Sequence, residues 1–175
     1  MSGEVFVWDT TGPLHASRVG HLDWLLDAAG PERRHMIPSK VAEEMSKHGY
    51  PADTERLEVH ELGELEDLLV LARWQERLGA DEETGLNEGE AWVATLAERT
   101  QAVAVIDDRH ACEVIQRAGG VEVHGVLWAI SLGVLEKRAP GPSAYSGLCD
   151  QMMSPGEGIP GIRWPIEPGG LSGMV

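Results

Sequence analysis

Short apolar runs and helical spacings alternate along residues 4–135 of the chain. Runs rich in apolar residues at 5–8, 35–37, 57–60, 103–106 and 121–124 predict five short strands. Between these runs, apolar residues recur at every third or fourth position, which predicts helices. The run at 103–106 has no polar residue, as expected for a strand buried on both faces of a parallel sheet. The alternation therefore predicts an α/β fold whose strands are joined by right-handed crossovers.

The predicted helices differ in how clearly the sequence marks them. Residues 9–13 have turn composition, so the first helix is expected only after them, through residues 19–26. Ser39 is expected to cap a helix that reaches about Lys47. Residues 65–78 have amphipathic helical spacing. The apolar face predicted for that last helix consists of Leu65, Leu68, Leu69, Ala72 and Leu78.

The composition changes near the C-terminus. Residues 140–175 contain fourteen Gly or Pro, which disfavours regular helices and central strands. Ile159, Ile162, Trp164 and Ile166 add apolar side chains to this segment. We therefore predict one domain at 1–138 and a tail at 139–175 that packs on that domain or on a partner.

Charge narrows the range of functions. The 175 residues include 14 Lys or Arg and 29 Asp or Glu, which gives a formal net charge of −15 and excludes a basic clamp for nucleic acid. A local carboxylate cluster that holds divalent cations would reverse the potential where a phosphate sits. No apolar run approaches the length of a membrane span, and Cys112 and Cys149 lack a CxxC spacing. These features predict a soluble, cytoplasmic protein without a membrane partner.

Acidic residues follow two of the predicted strands directly. Asp9 ends the first strand, and Asp107 and Asp108 end the fourth. Ligands of open parallel sheets bind beyond the carboxyl ends of the strands, so these acids are expected at one edge. Neighbouring carboxylates raise each other's pKa unless a cation balances them, and oxygen ligands suit Mg²⁺ or Mn²⁺. The sequence therefore predicts a divalent metal site at this edge.

Four segments together resemble the PIN-domain nucleases, which include the VapC-type ribonuclease toxins of bacterial toxin–antitoxin pairs. Residues 5–14 resemble the opening strand of that family and its strand-end Asp. Residues 37–45 are similar to its short strand and following helix, with the acid at Glu44. Residues 86–97 and 105–111 resemble the Leu-Asp-x-Gly-Glu-Ala and strand-end Asp-Asp patterns of one branch, with acids at Glu90 and Asp107.

The resemblance implies a three-layer α/β/α sandwich with a central parallel sheet of four to five strands. It implies a metal-dependent endoribonuclease that binds one or two Mg²⁺ or Mn²⁺ ions and hydrolyses RNA phosphodiester bonds. A small antitoxin protein and a homodimer are expected by analogy with the family. The catalytic and metal-binding residues implied are Asp9, Glu44, Glu90 and Asp107, with Asp108 as a second metal candidate.

Several assignments have a structural alternative. Glu90 lies three residues after Asn87, so its alternative role is purely structural, as the acid that completes a capping box. Asp108 is expected to cap the next helix, which leaves Asp107 as the better ligand. The family register alone selects Glu44 over Glu43, because helix geometry directs one of the two towards solvent.

The sequence also suggests substrate contacts and two rival functions. Adjacency to the acidic edge suggests Thr10 and nearby cations as substrate-binding residues. The cations chosen on that basis are Arg18, Arg33, Arg34, Lys40 and Arg109. One rival function is a phosphatase of the haloacid-dehalogenase kind with Asp9 as nucleophile, although Thr11 stands where its second Asp would be. The other is a PIN-like fold kept as a non-catalytic protein-binding module.

Overall fold

The computed structural model describes residues 4–18, 20–81 and 83–135. Its five strands and seven helices alternate along these ranges. In chain order they are β1 (Val5–Trp8), α1 (Thr11–Arg18), α2 (Leu22–Ala29), β2 (Arg34–Pro38), α3 (Ser39–Lys47), β3 (Glu58–His60), α4 (Leu65–Leu78), α5 (Glu88–Thr100), β4 (Val103–Val105), α6 (Arg109–Ala118), β5 (Glu122–His124) and α7 (Val126–Leu135). The predicted C-terminal tail at 139–175 lies outside the described residues.

The strands form one parallel sheet in the order β3-β2-β1-β4-β5. Strand β1 is central, and Val7 pairs with Met36 of β2 on one side and with Ala104 of β4 on the other. The side chains of Phe6, Val7 and Trp8 are fully buried. Helices therefore cover both faces of the sheet at its centre, which confirms the predicted α/β sandwich.

The crossover directions explain the two helical layers. The chain moves from β1 to β2 in one direction along the sheet and from β3 to β4 in the other. Right-handed crossovers therefore place α1 and α2 on the face opposite to α4 and α5. Helix α7 packs on α2, while α4 packs on α5. All five parallel strands consequently present their carboxyl ends at one edge of the molecule, between the two layers.

Helices α2 and α7 approach each other closely at Gly133. A Cβ atom at this position would lie 2.6 Å from the carbonyl oxygen of Ala28 and 3.0 Å from its Cα. Any side chain at 133 would therefore require the two helices to move apart. The glycine fixes the position of α7, whose first residue, Val126, lies beside the acidic edge.

The prediction of a turn at residues 9–13 was wrong beyond Thr10. Helix α1 begins at Thr11 and includes Gly12 and Pro13. Proline is tolerated in the first turn of a helix, where its missing N–H would have no intrahelical acceptor. Gly12 is also needed there, because a Cβ would lie 2.7 Å from Cγ2 of Val126. Turn composition and the start of a helix look the same in this sequence.

The buried face of α4 is not the predicted one. Leu65, Leu68 and Leu69 are 72%, 48% and 64% exposed, whereas Leu71, Trp74 and Leu78 are buried against α5. Of the predicted face only Leu78 reaches the core. Leucines lie on both sides of this helix, so helical spacing alone could not select the buried side. None of the described helices is long and apolar enough to cross a membrane.

Candidate active site

Asp9 and Glu44 meet at the carboxyl edge of the sheet. Asp9 directly follows β1, and its backbone N–H donates a 3.0 Å hydrogen bond to the Val105 carbonyl oxygen. A Cβ atom at Gly89 would lie 3.5 Å from Oδ1 of Asp9 and 3.5 Å from Oε2 of Glu44. Both carboxylates therefore reach the first turn of α5, where Glu90 is the next residue.

Asp9 is the most buried member of this group, at 6% exposure. The Thr11 hydroxyl donates a 3.3 Å hydrogen bond to its Oδ2 atom. Burial raises the pKa of Asp9 to about 7, and the negative charge of Glu90 adds to the effect. Glu44 and Asp107 raise this pKa further, against the lowering effect of a backbone hydrogen bond at Thr10. Asp9 is thus held among like charges, out of water.

Glu44 is oriented by Thr10. The Thr10 hydroxyl donates a hydrogen bond to Oε2 of Glu44, which joins the end of β1 to α3. Glu44 is half-buried, whereas Glu43 is exposed. Of the two neighbouring acids, Glu44 is therefore the one that faces the other carboxylates, as the family register requires.

Asp107 has one occupied and one free carboxylate oxygen. The backbone N–H of Val126 donates a 2.8 Å hydrogen bond to Oδ1. The Oδ2 atom is buried and has no hydrogen-bond partner within the described part of the chain. Burial raises the pKa of Asp107 to about 6 despite the bond from Val126. A buried carboxylate oxygen without a donor is costly unless it serves as a ligand.

Asp108 and Glu90 have different roles in the local structure. Asp108 is exposed, and its Oδ1 atom accepts a 2.6 Å hydrogen bond from the Ala111 N–H, so it caps α6 as predicted. The capping box predicted for Asn87 and Glu90 is wrong. Asn87 has a left-handed backbone with φ of 53°, and its side-chain amide donates to the Leu78 carbonyl oxygen instead.

Because Glu90 does not take part in a capping box, its carboxylate can act together with those of Asp9 and Glu44. Burial raises its pKa, and the negative charges of Asp108 and Glu44 raise it further. Asp9 therefore lies close to the carboxylates of Glu44, Glu90 and Asp107, although the described residues contain no group of three or more His, Cys, Asp or Glu already arranged to hold a metal ion.

The cations suggested as substrate contacts are already engaged. Lys40 forms a 2.7 Å ion pair with Glu88, and Arg109 forms one of 3.0 Å with Glu113. Arg34 begins β2, at the sheet edge opposite to the acids, and pairs with Glu58. The suggestion that Arg34 and the adjacent Arg33 contact substrate at the acidic edge is therefore wrong, because both lie at the other edge of the sheet. Sequence reasoning also missed Glu88, whose only signal was its place beside Gly89 in the third motif.

The donor set fits a divalent cation of the Mg²⁺ or Mn²⁺ kind. All the candidate ligands are carboxylates, which such ions prefer. The unpartnered Oδ2 of Asp107 and the raised pKa values of Asp9, Glu90 and Asp107 indicate negative charge that the protein itself does not neutralise. Gly89 leaves space between two of these carboxylates.

A family model described as PIN domain matches residues 5–156, most of the chain. The chain belongs to the PIN-domain family. PIN domains are generally nucleases that use divalent metal ions. No curated protein sequence matches the chain.

Solved structures give a more distant comparison. The chain is similar to one in the crystal structure of VapBC2 from Rickettsia felis bound to a DNA fragment from their promoter, with 15% sequence identity and a TM-score of 0.46. The alignment covers 69% of this chain and 98% of that chain. The family assignment rests on the model match, and the fold on the sheet described above.

Proposed function

We propose that this PIN domain is a metal-dependent endoribonuclease that hydrolyses RNA phosphodiester bonds. In this proposal Asp9, Glu44, Glu90 and Asp107 hold one or two Mg²⁺ or Mn²⁺ ions, and Asp108 mainly caps α6. The observation that carries the proposal is the buried Asp107 Oδ2 atom without a partner, beside Asp9 whose pKa is raised to about 7. When bound, such an ion supplies a nucleophile from water near neutral pH and neutralises charge that develops on the phosphate.

The residues of the chain prepare this site before any substrate arrives. The hydroxyls of Thr10 and Thr11 hold the carboxylates of Glu44 and Asp9. The N–H of Val126 fixes one oxygen of Asp107 and leaves the other free. The Val126 bond comes from the backbone, so it does not depend on the side chain at that position. Orientation of ligands by such secondary contacts reduces the reorganisation needed during the reaction.

Our proposal gives Lys40 a different role from the substrate contact suggested by its position in the sequence. Its ion pair with Glu88 connects α3 to the first residue of α5, the two helices that carry Glu44 and Glu90. In our proposal Lys40 therefore holds these helices together rather than gripping RNA. In the same proposal the Thr10 hydroxyl, which donates a hydrogen bond to Glu44, orients that carboxylate rather than contacting substrate.

Calorimetric titration of Mn²⁺ into the purified chain tests the metal site. We expect saturable binding that is lost in Asp107→Asn and weakened at least about tenfold in Glu44→Gln. Glu43→Gln is the matched control, since it removes the same charge from the same helix at an exposed position. If Glu43→Gln weakened binding as much as Glu44→Gln, the ion would be responding to net charge and the assignment of ligands would fail.

Cleavage assays separate the candidate functions. We expect RNA hydrolysis that requires Mn²⁺ or Mg²⁺ and stops in Asp107→Asn. Family membership favours this reaction over the phosphatase alternative with Asp9 as nucleophile. Metal binding without hydrolysis of any RNA offered would favour the non-catalytic binding module. An antitoxin partner and a homodimer follow from the family resemblance, a cytoplasmic location follows from the cysteine usage and the lack of long apolar runs, and all three remain predictions.

A further inference from the structure

An acidic protein that cleaves RNA needs cations to hold the substrate, and most of the Lys and Arg residues that the structure describes already form ion pairs. The described Arg33, Arg34, Arg56, Arg73 and Arg99 all form ion pairs with carboxylates. Lys40 and Arg109 are paired as well. By contrast, Lys47, Arg77 and Arg117 make no hydrogen bond or ion pair within the described ranges.

Two of these three cations line the same groove. Arg77 of α4 and Arg117 of α6 border a cavity of about 290 Å³ whose other lining residues are Val114 and Ala118. The guanidinium of Arg77 lies over the ring of Trp74, 5.2 Å from its centroid, which holds it in place. A larger cavity of about 550 Å³ lies at the amino ends of the strands, the sheet edge opposite to the acids. The Arg34 side chain in that cavity is neutralised by Glu58.

The groove is connected to the candidate active site through α6. This helix begins directly after Asp107 and Asp108 and carries Val114, Arg117 and Ala118. Asp108 and Arg117 are nine residues apart, which corresponds to about 14 Å along the helix axis. Helix α6 runs from the carboxyl end of β4 back towards the start of the parallel strand β5, so a strand whose phosphate lies at the carboxylates has to follow α6 to bring phosphates further along it to the groove.

We propose that Arg77 and Arg117 form a binding site for the sugar–phosphate backbone of a single-stranded nucleic acid substrate, and this rests on the proposed nuclease function. Guanidinium groups match phosphate oxygens in a bidentate geometry. In a chain with a net charge of −15, two arginines that line one groove and form no ion pair within the described residues mark a place where a polyanion can approach. The site lies on α4 and α6, apart from the carboxylates.

Binding of a labelled oligouridylate of about twelve nucleotides tests this site. The full chain is titrated in chelator, so that no cleavage occurs, at salt concentrations from about 50 to 200 mM. We expect Arg77→Gln and Arg117→Gln each to weaken binding and to reduce the slope of log affinity against log salt by about 0.7. The double variant should lose about 1.4 of this slope, so its affinity should fall about sevenfold less than the parent's between about 50 and 200 mM salt.

Lys47→Gln is the matched control, since it removes an equally unpaired charge from α3, outside the groove. It should leave the salt slope unchanged. An equal loss in Lys47→Gln would mean that only net charge matters and would overturn the proposal. Displacement of the oligouridylate by hexaglutamate at equal or lower concentration would also overturn it, because the groove would then prefer an acidic peptide.

Cleavage measured in Mn²⁺ distinguishes the two proposals. If the arginine variants bind the oligouridylate as tightly as the parent while Mn²⁺-dependent cleavage persists, the groove is wrong and the nuclease function stands. If no variant or parent cleaves RNA but the salt slope falls as expected, the binding site stands and the nuclease function fails. Circular dichroism of each variant confirms that the fold is retained.

Discussion

His35 shows how one buried residue couples the fold to pH. Its Nδ1 atom accepts a 3.1 Å hydrogen bond from the indole N–H of Trp8, and Nε2 lies 3.0 Å from the Gly30 carbonyl oxygen. This arrangement requires the neutral ring with its proton on Nε2. Burial lowers the pKa of His35 to about 4, and the charges of Arg56 and Arg33 act in the same direction. Protonation therefore opposes folding.

We expect His35 to destabilise the protein in acid. Because its folded pKa is below the unfolded value of 6.5, its contribution is fully present above pH 6.5 and is lost as the pH falls towards 4. The total loss is about 3 kcal/mol. Urea unfolding between pH 7.5 and about 4.5 gives the free energy of unfolding at each pH. This free energy should fall less steeply towards acid in His35→Gln than in the parent.

His48→Gln, an exposed position after α3, is the control for this measurement and should keep the parental profile. Comparison with the parent removes the effect of other titrating groups, which is needed because the carboxylates of the acidic edge also titrate. A parental profile in His35→Gln would show that the ring does not stay neutral in the folded protein.

At the scale of single elements, Gly133 controls how α7 packs. Gly133→Ala should lower the free energy of unfolding by about 1–3 kcal/mol, since the added Cβ would overlap the Ala28 backbone. This loss should exceed the gain in helix propensity of about 1 kcal/mol from replacing glycine. Gly63→Ala is the control, because nothing lies within 4 Å of its Cβ position. A stabilised Gly133→Ala protein would contradict the close packing of α2 and α7.

The sequence predicted the strands better than the helices. Apolar runs at 5–8 and 103–106 marked β1 and β4 correctly, because a strand buried on both faces leaves a continuous apolar segment. The start of α1 was missed because Gly12 and Pro13 suit a turn and a first helical turn equally. The face of α4 was wrong because leucines lie on both sides of the helix, and only the packing of α5 against one side decides which of them are buried.

In the candidate site, too, features set within one segment could be predicted, whereas contacts between segments could not. Strand-end acids such as Asp9 and Asp107 could be placed at one edge from topology alone. Pairings between distant segments could not be predicted, so the engagement of Lys40 by Glu88 and of Asp107 by the Val126 N–H became visible only in the fold. The unpaired state of Arg77 and Arg117 was equally inaccessible, since it depends on where every carboxylate lies.

At the scale of the whole molecule, the acidic edge links function to stability. The pKa values of Asp9 and Asp107 are raised to about 7 and about 6. For acids with raised values, the stabilising contribution exists below the unfolded pKa and is lost as the pH rises through the folded pKa. Without a bound cation, the cluster therefore opposes folding at pH 8, in a chain that already has a net charge of −15.

We therefore expect Asp9→Asn to stabilise the metal-free protein at pH 8 by about 1–3 kcal/mol, because it removes a buried charge among like charges. Mn²⁺ at about 100 times its Kd should stabilise the parent by about 2.7 kcal/mol and Asp9→Asn much less. Thermal unfolding in chelator and in Mn²⁺ measures both effects, with Glu43→Gln as the control for loss of one exposed charge. Asp9→Asn should thus melt above the parent in chelator, and Mn²⁺ should shrink or reverse that difference because the parent gains more from the ion. If Asp9→Asn were less stable than the parent in both conditions, the carboxylate would be a structural group rather than a site held ready for a cation.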